Sequence, residues 1–445
     1  MGQQKPTLKL NTKRTFLIGF AFFGILMMWH IYLFYCPLFL DELLSSRFGG
    51  GEGKYNYLIG IIMAIDNFLA LCLIPLFGWL SDRTRTRFGR RMPFIVIGTA
   101  VAVLLFPLVA VMFILNSLVG MLCVMVLLVV SMHFYRAPAV SLMPDITPKP
   151  LRAHANGIIN FMGYVGVIIG GILTMLFLIA KPAESGMIPY ITANPNLVFI
   201  PFIIVSVLMI TSIIFLVIKF RENKVVAESA ADMAIGENLA ETLEEVKEDK
   251  PLGKQDRMNF IILFGCILLW FFAFNALMTF GSLYAKKMLG GASIGLAMSI
   301  MAVTGMLTFL PAIKLSSKIG RKNSILLGLA IMIVILVCAT FITKINILFY
   351  ALFAIGGCGW AIINLNSYPM LVEMSSAKNV GRITGNYYMA TQFSQGLTSI
   401  CVGFVLDWLG YKAYFPYAAL FMALAFVLFL FFKTKKGNVA KTKAN

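Results

Sequence analysis

The chain has 445 residues, of which 60% are hydrophobic and 13% are charged, and its formal net charge is +18. Soluble domains have roughly 45–50% apolar and about 25% charged residues, because a surface that faces water needs polar side chains. This composition excludes a soluble enzyme, a nucleic-acid-binding protein and a disordered scaffold. The seven cysteines lie singly within apolar runs, so neither a disulfide framework nor a metal site is expected.

Twelve stretches of the chain are long and apolar enough to cross a membrane. A bilayer core about 30 Å thick needs about 20 apolar residues in a helix. In chain order, the predicted spans are 15–39, 56–80, 93–115, 118–140, 155–180, 197–218, 259–283, 293–315, 324–343, 345–369, 383–409 and 413–432. The first predicts a retained helix, because it is too long for a signal-peptide core and lacks a small-residue cleavage site.

The basic residues indicate the orientation of these spans. Most of the 37 Lys and Arg residues fall in segments that share a side with the N-terminus or at the end of a span on that side, and Arg136 alone falls deep within a span. Because Lys and Arg accumulate on the cytoplasmic side, both termini are predicted to be cytoplasmic. The expected fold class is an all-α, multi-pass protein of the cell membrane with twelve transmembrane helices.

Residues 219–258 form the longest break between spans and hold more than half of the 19 acidic residues. Such a segment is typical of a solvated cytoplasmic linker, here with one amphipathic turn around Leu239, Leu243 and Val246. The linker would separate an N-terminal six-helix bundle, 1–218, from a C-terminal six-helix bundle with a short basic tail, 259–445. A regulatory role for the linker is the alternative.

Two motifs recur in the second half of the chain. Gly89 and Arg90 return as Gly320 and Arg321, and the pair Arg152 and Asn156 returns as Arg382 and Asn386, at offsets that agree within one residue. Acidic residues, Asp145 and Glu373, lie just upstream of the second motif in each half. These echoes predict two six-helix bundles related by a parallel repeat, an arrangement that places a substrate site between the halves at mid-membrane.

The pattern Gly78-x-x-x-Asp82-Arg83 followed by Gly89-Arg90-Arg91 resembles the loop signature of the major facilitator superfamily. The stretches SDRTRTRFGRRMPFI and YRAPAVSLMPDITPKPLRAHANGIINFMG resemble the glycoside–pentoside–hexuronide:cation symporters and the related plant sucrose/proton symporters. The resemblance implies the major facilitator fold and sugar:cation symport by alternating access. It covers the twelve-span layout, but its specific motifs lie at the cytoplasmic helix ends, which report fold and gating rather than substrate.

The resemblance also implies a latch that holds the cytoplasmic ends of the two halves together and breaks when they rock. Asp82 would accept hydrogen bonds from the N-terminus of a helix in the other half, around 383–385, and the arginines offer planar donors to carboxylates. Asp145 with Arg152, and Glu373 with Arg382, would form matching clamps. The alternative is a basic rim that only sets topology. The residues assigned to the latch are Asp82, Arg83, Gly89, Arg90, Arg91, Asp145, Arg152, Glu373 and Arg382.

Asp66 is the one acidic residue predicted to lie deep in a span. A charge at that depth costs about 2.5–3.5 kcal/mol on the insertion scale, so such residues usually face a cavity and serve a function. Arg136, in the fourth span, is the natural cation beside it. The hypothesis is that Asp66 accepts the coupling proton or cation and that Arg136 tunes its charge or binds substrate hydroxyls. The alternative is a static ion pair that only sets helix packing.

The comparison with the family favours a proton over sodium as the coupling ion. Melibiose-type members carry two carboxylates one turn apart on the second span, and the matching positions here are Leu69 and Leu73. The Arg that plant sucrose symporters carry after the proline of the fourth span matches Val140, so sucrose binding by that Arg does not transfer. No cofactor is expected.

Further polar residues within spans are candidates for sugar recognition, which uses hydrogen-bond donors and acceptors around an apolar face. The alternative for the amides is hydrogen bonding between helices, and for the histidine a structural role. These candidates are His30, Asn160, Asn275, Asn364, Asn366 and Gln392.

Two other functions remain open. A transporter of the same fold that exports drugs or moves lipids would want a mainly hydrophobic cavity. A non-transporting membrane sensor would carry an appended soluble domain, for which the tails 1–14 and 433–445 are too short. An enzyme is not expected, because no nucleophile–base pair, metal cluster or phosphate loop is present. The expected partners are a small molecule, a sugar, and the lipid bilayer, but no nucleic acid, and the protein is expected to be a monomer.

Overall fold

The computed structural model describes residues 8–51, 53–177, 180–183, 186–189, 195–245, 254–289, 294–373 and 380–433. Over these residues the chain folds into helices joined by short connections, with one antiparallel hairpin of Ala180–Ala183 and Gly186–Pro189. In the described ranges the helices are α1 Thr12–Phe48, α2 Asn56–Arg83, α3 Met92–Ile114, α4 Leu118–Ile146, α5 Arg152–Phe177, α6 Phe199–Lys219, α7 Glu222–Glu245, α8 Lys254–Met288, α9 Ile294–Ile319, α10 Arg321–Thr340, α11 Ile347–Glu373, α12 Val380–Leu409 and α13 Tyr414–Leu430.

All twelve predicted spans coincide with helices, although α1 runs nine residues and α4 six residues past the predicted ends. Among the described residues, ten helices are long and apolar enough to cross a membrane, and α9, which contains Pro311, is an eleventh when its two segments count as one span. The twelfth predicted span is α12, which carries polar residues such as Gln392, Gln395 and Asp407. Its polar side chains are compatible with a span because α12 packs against α2 and α8.

The two halves, α1–α6 and α8–α13, meet through three helix pairs. These pairs are α2 with α12, α5 with α9, and α1 with α8. In the predicted repeat, α9 corresponds to α2 and α12 corresponds to α5. The α2–α12 and α9–α5 pairs are therefore equivalent contacts.

Glycines bring the halves into close contact along one part of this interface. A Cβ on Gly60 of α2 would lie 2.1 Å from the carbonyl oxygen of Ser399 on α12, and a Cβ on Gly171 of α5 would lie 1.8 Å from Ser299 Oγ on α9. Only glycine permits such approach of two backbones. The Ser299 hydroxyl also donates across the halves to the carbonyl of Val167 at 3.0 Å.

The α2–α12 pair separates toward its other end. A Cβ on Gly78 of α2 or on Gly385 of α12 would meet nothing within 4 Å, and Tyr388 and Met389 are exposed. We call the open end, which carries the loop 82–91, the basic end, and the closed end, which carries residues 41–57 and 407–411, the Asp407 end. The α2–α12 pair is therefore in contact at the Asp407 end and apart at the basic end.

The linker differs from the expectation of a single amphipathic turn, because α7 is a 24-residue helix. Its Ala- and Glu-rich sequence favours helix formation. The buried residues Glu222, Val225, Ser229 and Gly236 recur at helical spacing and form one stripe. That stripe faces α4 and the 3₁₀ turn Lys149–Leu151, so the helix packs on the N-terminal half.

Candidate coupling and substrate site

Asp66 lies in the middle of α2 and is 2% exposed. Neither of its carboxylate oxygens has a hydrogen-bond partner. Because burying an ionised carboxylate without partners is expensive, such a group is retained where its charge can change or where a nearby cation balances it.

Arg136 on α4 is that cation. It interacts electrostatically with Asp66, although the two form no ion pair within 4 Å. Its guanidinium carbon lies 6.0 Å from the centre of the Trp29 ring on α1, a distance at which a cation is attracted to an aromatic face. The structure thus brings together the two charged residues that the sequence singled out, and adds Trp29 as a third member.

His133 completes this group on the side of the N-terminal half. It is 1% exposed, and neither ring nitrogen has a hydrogen-bond partner. Its ring centre lies 6.3 Å from that of Trp29, which in turn stacks on Tyr32 at 5.6 Å. From the sequence, His133 is only a weaker candidate, because a single histidine within a span is more often structural.

The C-terminal half contributes an aromatic wall. Trp360 stacks on Phe274 at 3.9 Å and meets the edge of Phe271 at 5.5 Å. Tyr387 lies next to Tyr388, which is exposed and interacts electrostatically with Arg136. Phe271 also contacts Tyr387, so these rings form one cluster that ends at Tyr388, within electrostatic range of Arg136 of the other half.

The predicted amides do not form one ring of ligands. Three of them donate to a carbonyl of their own helix: Asn160 to Asn156 at 2.8 Å, Asn364 to Trp360 at 3.0 Å and Asn366 to Ile362 at 2.8 Å. The amide oxygen and the second N–H of each side chain then remain for a ligand. Asn275 is 5% exposed with its Nδ2 unpartnered, and Gln392 is half-buried on α12.

His30 lies in a different place from the Asp66 group. It lines a small cavity between α1, α8 and α9, together with Ser282 and Met298. Its Nε2 atom and the Ser282 hydroxyl are both buried without a hydrogen-bond partner. The backbone at Gly170 on α5 packs against its ring, since a Cβ there would lie 3.0 Å from His30 Cδ2.

The arginines of the basic end bind carboxylates of their own half. Arg91 is 3% exposed and donates from Nε to Asp145 Oδ2 at 2.9 Å, and it also bonds Asp82 and Ser81. Arg90 pairs with the other Asp145 oxygen at 2.7 Å. Burial disfavours the charged form of Arg91, but the hydrogen bonds and charges of Asp145 and Asp82 outweigh it and raise the pKa of the guanidinium above its usual value.

The two acids assigned to the latch in the N-terminal half, Asp145 and Asp82, both bind Arg91 in this structure. Asp145 does not pair with Arg152, whose guanidinium instead donates to the backbone carbonyls of Thr147 and Pro144 at 3.1 and 3.0 Å, because Arg90 and Arg91 already occupy the carboxylate. The Asp82 side chain is 56% exposed and bonds Arg91 of its own half.

Arg83 and Gly89, also assigned to the latch, lie at the end of α2 and in the loop before α3. Arg83 lies over the ring of Trp79 at 4.1 Å, and Gly89 has a positive φ of +120° in the loop before α3. The side chains of Glu373 and Arg382 lie outside the described residues.

Sequence reasoning missed the carboxylates that join the halves at the Asp407 end. Asp407, at the end of α12, accepts the backbone N–H groups of Asn56 and Tyr57 at 3.0 and 2.8 Å, and so caps the start of α2. The signal was available, since an acid at one helix end matches the partial positive charge of a helix N-terminus, but no spacing connects residues this far apart.

Asp41 on α1 forms the second contact of this kind. It is fully buried, accepts the N–H of Gly53 at 2.7 Å, and lies 3.7 and 3.8 Å from the Nζ atoms of Lys286 and Lys287 on α8. At this end, therefore, charged groups of one half contact the other half.

The fold is shared with solved transporters. The nucleoside transporter NupG superposes with a TM-score of 0.66 at 15% identity, covering 95% of this chain and 100% of that chain. A peptide transporter, POT, gives 0.66 at 14% identity over 94% and 93% of the two chains, and the POT family transporter PepTSo gives 0.66 at 12% identity over 95% and 98%. No curated protein sequence shows significant similarity to the chain.

The family profile adds what the fold alone does not show. The profile described as MFS/sugar transport protein matches residues 17–433, nearly the whole chain. With the transporter fold, this match makes the protein a multi-pass membrane transporter of a small molecule rather than an enzyme. The chain belongs to the MFS/sugar transport protein family.

Proposed function

We propose that this protein is a secondary active transporter that moves a sugar, a glycoside or oligosaccharide, together with protons across the cell membrane by alternating access. Asp66 is the coupling carboxylate. The observation that carries the proposal is that carboxylate itself, buried in α2 without a hydrogen-bond partner and within electrostatic range of Arg136. A carboxylate with no fixed partner gains or loses a proton without breaking a hydrogen bond.

Arg136 connects the charge of Asp66 to the substrate. While Asp66 is ionised, its charge balances the guanidinium. Once Asp66 is protonated, the positive charge of Arg136 is no longer balanced, which strengthens the hydrogen bonds that its five N–H donors can make to sugar hydroxyls. Trp29 on one half and Trp360 and Tyr388 on the other supply aromatic faces and a hydroxyl. An apolar face ringed by a few polar groups suits the two sides of a sugar ring.

A proton rather than Na⁺ is the coupling ion in this proposal. Hard metal cations take several oxygen ligands, whereas a proton needs a single basic oxygen. The group that acts on Asp66 electrostatically is the Arg136 guanidinium, which repels a metal cation. The site chemistry therefore favours protonation.

In this proposal the inward proton gradient sets the direction of transport, since a transporter visits inward- and outward-facing states whichever way the substrate moves. If the basic end is cytoplasmic, as the distribution of Lys and Arg predicts, the structure corresponds to an inward-facing state. A substrate released there, at a low cytoplasmic concentration, is taken up with the proton gradient.

The test is uptake into proteoliposomes of a panel of labelled glycosides under imposed proton or sodium gradients. We expect at least one sugar to accumulate under an inward proton gradient and none to accumulate under a sodium gradient alone. Accumulation with no ion gradient, or of no sugar in the panel, would instead indicate the alternative of a drug or lipid exporter.

A further inference from the structure

Glu222, the first residue of the linker helix α7, binds the start of α3. It is 2% exposed. Its Oε1 atom accepts the backbone N–H groups of Arg90 and Arg91 at 2.9 and 3.0 Å, and its Oε2 atom accepts those of Arg91 and Met92 at 3.0 and 2.9 Å. The first N–H groups of a helix have no partner within it and carry a partial positive charge, so this carboxylate satisfies them and is stabilised by them.

The loop before α3 is shaped to admit this carboxylate. A Cβ on Gly89 would lie 2.1 Å from Glu222 Oε2, and the φ of Gly89 is +120°, so a side chain at this position is excluded both by space and by backbone conformation. The next residue of α7, Asn223, donates from Nδ2 to the carbonyls of Thr86 and Arg87 at 3.2 and 3.0 Å. The loop therefore folds around the beginning of α7.

Two further contacts hold the rest of α7 on the same half. Glu228 pairs with Arg14, at the start of α1. Gly236 packs on the connection between α4 and α5, where its Cβ would lie 2.6 Å from Pro148 Cβ. The helix is thus attached to the N-terminal half at three points along its length.

Arg90 and Arg91 connect Glu222 to Asp145. The backbones of Arg90 and Arg91 bind Glu222, and their side chains bind Asp145 on α4. A shift of the Glu222 carboxylate would move the start of α3, and with it the guanidinium that also binds Asp82.

From this arrangement we propose that Glu222 is a positioning residue of the gate at the basic end. It clamps α7 to the start of α3, fixes Arg90 and Arg91 on Asp145, and makes α7 move with the N-terminal half. The segment 222–236 is then a working part of that half rather than a passive connection. The proposal goes beyond the proposed function, since it requires neither a sugar substrate nor Asp66.

The test replaces Glu222 by Gln and compares it with Glu237→Gln, an exposed position on the same helix outside the buried stripe. Hydrogen exchange reports the clamp, and energy transfer between fluorophores attached through noncanonical residues at positions 78 and 385, both in open space, reports the gap between the halves. Three backbone N–H groups lose their charged acceptor in Glu222→Gln, so we expect amides 90–92 to exchange at least about tenfold faster.

We also expect Glu222→Gln to reduce the fraction of molecules in which the basic end is closed. Glu222→Asp should reduce it less than Glu222→Gln does, and Glu237→Gln should leave both signals unchanged. An unchanged gap distribution in Glu222→Gln would overturn the positioning role. So would equal effects of Glu222→Gln and Glu237→Gln.

If Glu222→Gln does not accumulate as folded protein, a second variant decides the question. Pro148→Cys with Gly236→Cys permits α7 to be cross-linked to the N-terminal half after a shift of about 1 Å between the two segments, because a Cβ on Gly236 would lie 2.6 Å from Pro148 Cβ and a disulfide places the two Cβ atoms about 3.5–4.5 Å apart. The proposal predicts that the oxidised protein opens and closes like the reduced one. A gap locked by oxidation and freed by reductant would show that α7 must leave the N-terminal half, and would contradict the proposal.

Discussion

The two ends of the molecule use carboxylates in opposite ways. At the Asp407 end, Asp407 accepts two amides at the start of α2, and Asp41 lies beside Lys286 and Lys287, so acids of one half contact the other half. At the basic end, Asp145 binds Arg90 and Arg91 within the N-terminal half. The charged contacts described at the closed end join the halves, and those at the open end hold one half in shape.

This difference explains how a transporter can switch without breaking its bundles. Contacts that stay within a half, such as Arg91 with Asp145, can persist through the cycle, while those between halves must form at one end as they break at the other. Asp82 is the group at the basic end that is placed to change partners, since it is exposed and its present partner, Arg91, retains Asp145. On this view, Asp82 is held by Arg91 within the N-terminal half while the basic end is open.

The largest effect is expected from Arg91→Met. Removing one partner of a buried charge network costs about 3–5 kcal/mol, because Asp145 and the Ser81 hydroxyl lose a buried donor. Thermal unfolding in detergent should show the loss, and Arg91→Lys, which keeps the charge but not the planar donors, should lose less. A melting temperature of Arg91→Met equal to that of the wild type would refute a structural role for this end.

Asp41→Asn should open the Asp407 end. It removes the negative charge beside Lys286 and Lys287, which destabilises the closed form by about 1–3 kcal/mol. The open form does not bear this cost, because water reaches both lysines there. The measurement is labelling of Ser282→Cys by an impermeant maleimide in a variant without the native cysteines, since Ser282 is 4% exposed when this end is closed. Faster labelling is expected; an unchanged rate would remove Asp41 from the gate.

Asp407→Asn should act in the same direction but more weakly. The asparagine keeps one oxygen acceptor for the N–H groups of Asn56 and Tyr57 and loses the charge, which is worth about 0.3–1 kcal/mol at an exposed helix N-terminus. The same labelling assay at Ser282→Cys applies, and Lys412→Gln, nearby in sequence, serves as the control. Labelling slower than in the wild type would contradict the assignment.

The smallest effect is expected from Arg14→Gln, which breaks the pair with Glu228 on α7. Both side chains are partly exposed, and surface ion pairs contribute about 0–1 kcal/mol. Its melting temperature should stay close to that of the wild type at physiological ionic strength. A loss as large as that of Arg91→Met would mean that this surface pair, rather than Glu222, holds α7.

Local patterns predicted the spans well, because apolar length can be read directly along the chain. They also identified Asp66 and Arg136, since charges within spans are rare. They failed where the partner was chosen by tertiary geometry: Asp145 binds Arg90 and Arg91 rather than Arg152, which is nearer in sequence.

The linker shows the same limit. Its acidic composition suggested a solvated segment, although its Ala- and Glu-rich sequence favours a helix. Which of its acids is buried could not be predicted, because Glu222 is selected by the N–H groups of Arg90, Arg91 and Met92, over a hundred residues away in the chain.

The most direct test of the central claim compares two assays of Asp66→Asn in proteoliposomes, with Asp232→Asn on the exposed face of α7 as the control. Exchange of sugar between equal internal and external pools requires the site and the rocking motion but no net proton movement. Asp66→Asn should therefore retain exchange while losing accumulation driven by a proton gradient, and Asp232→Asn should retain both. Proton-driven accumulation by Asp66→Asn at the wild-type rate would contradict the account.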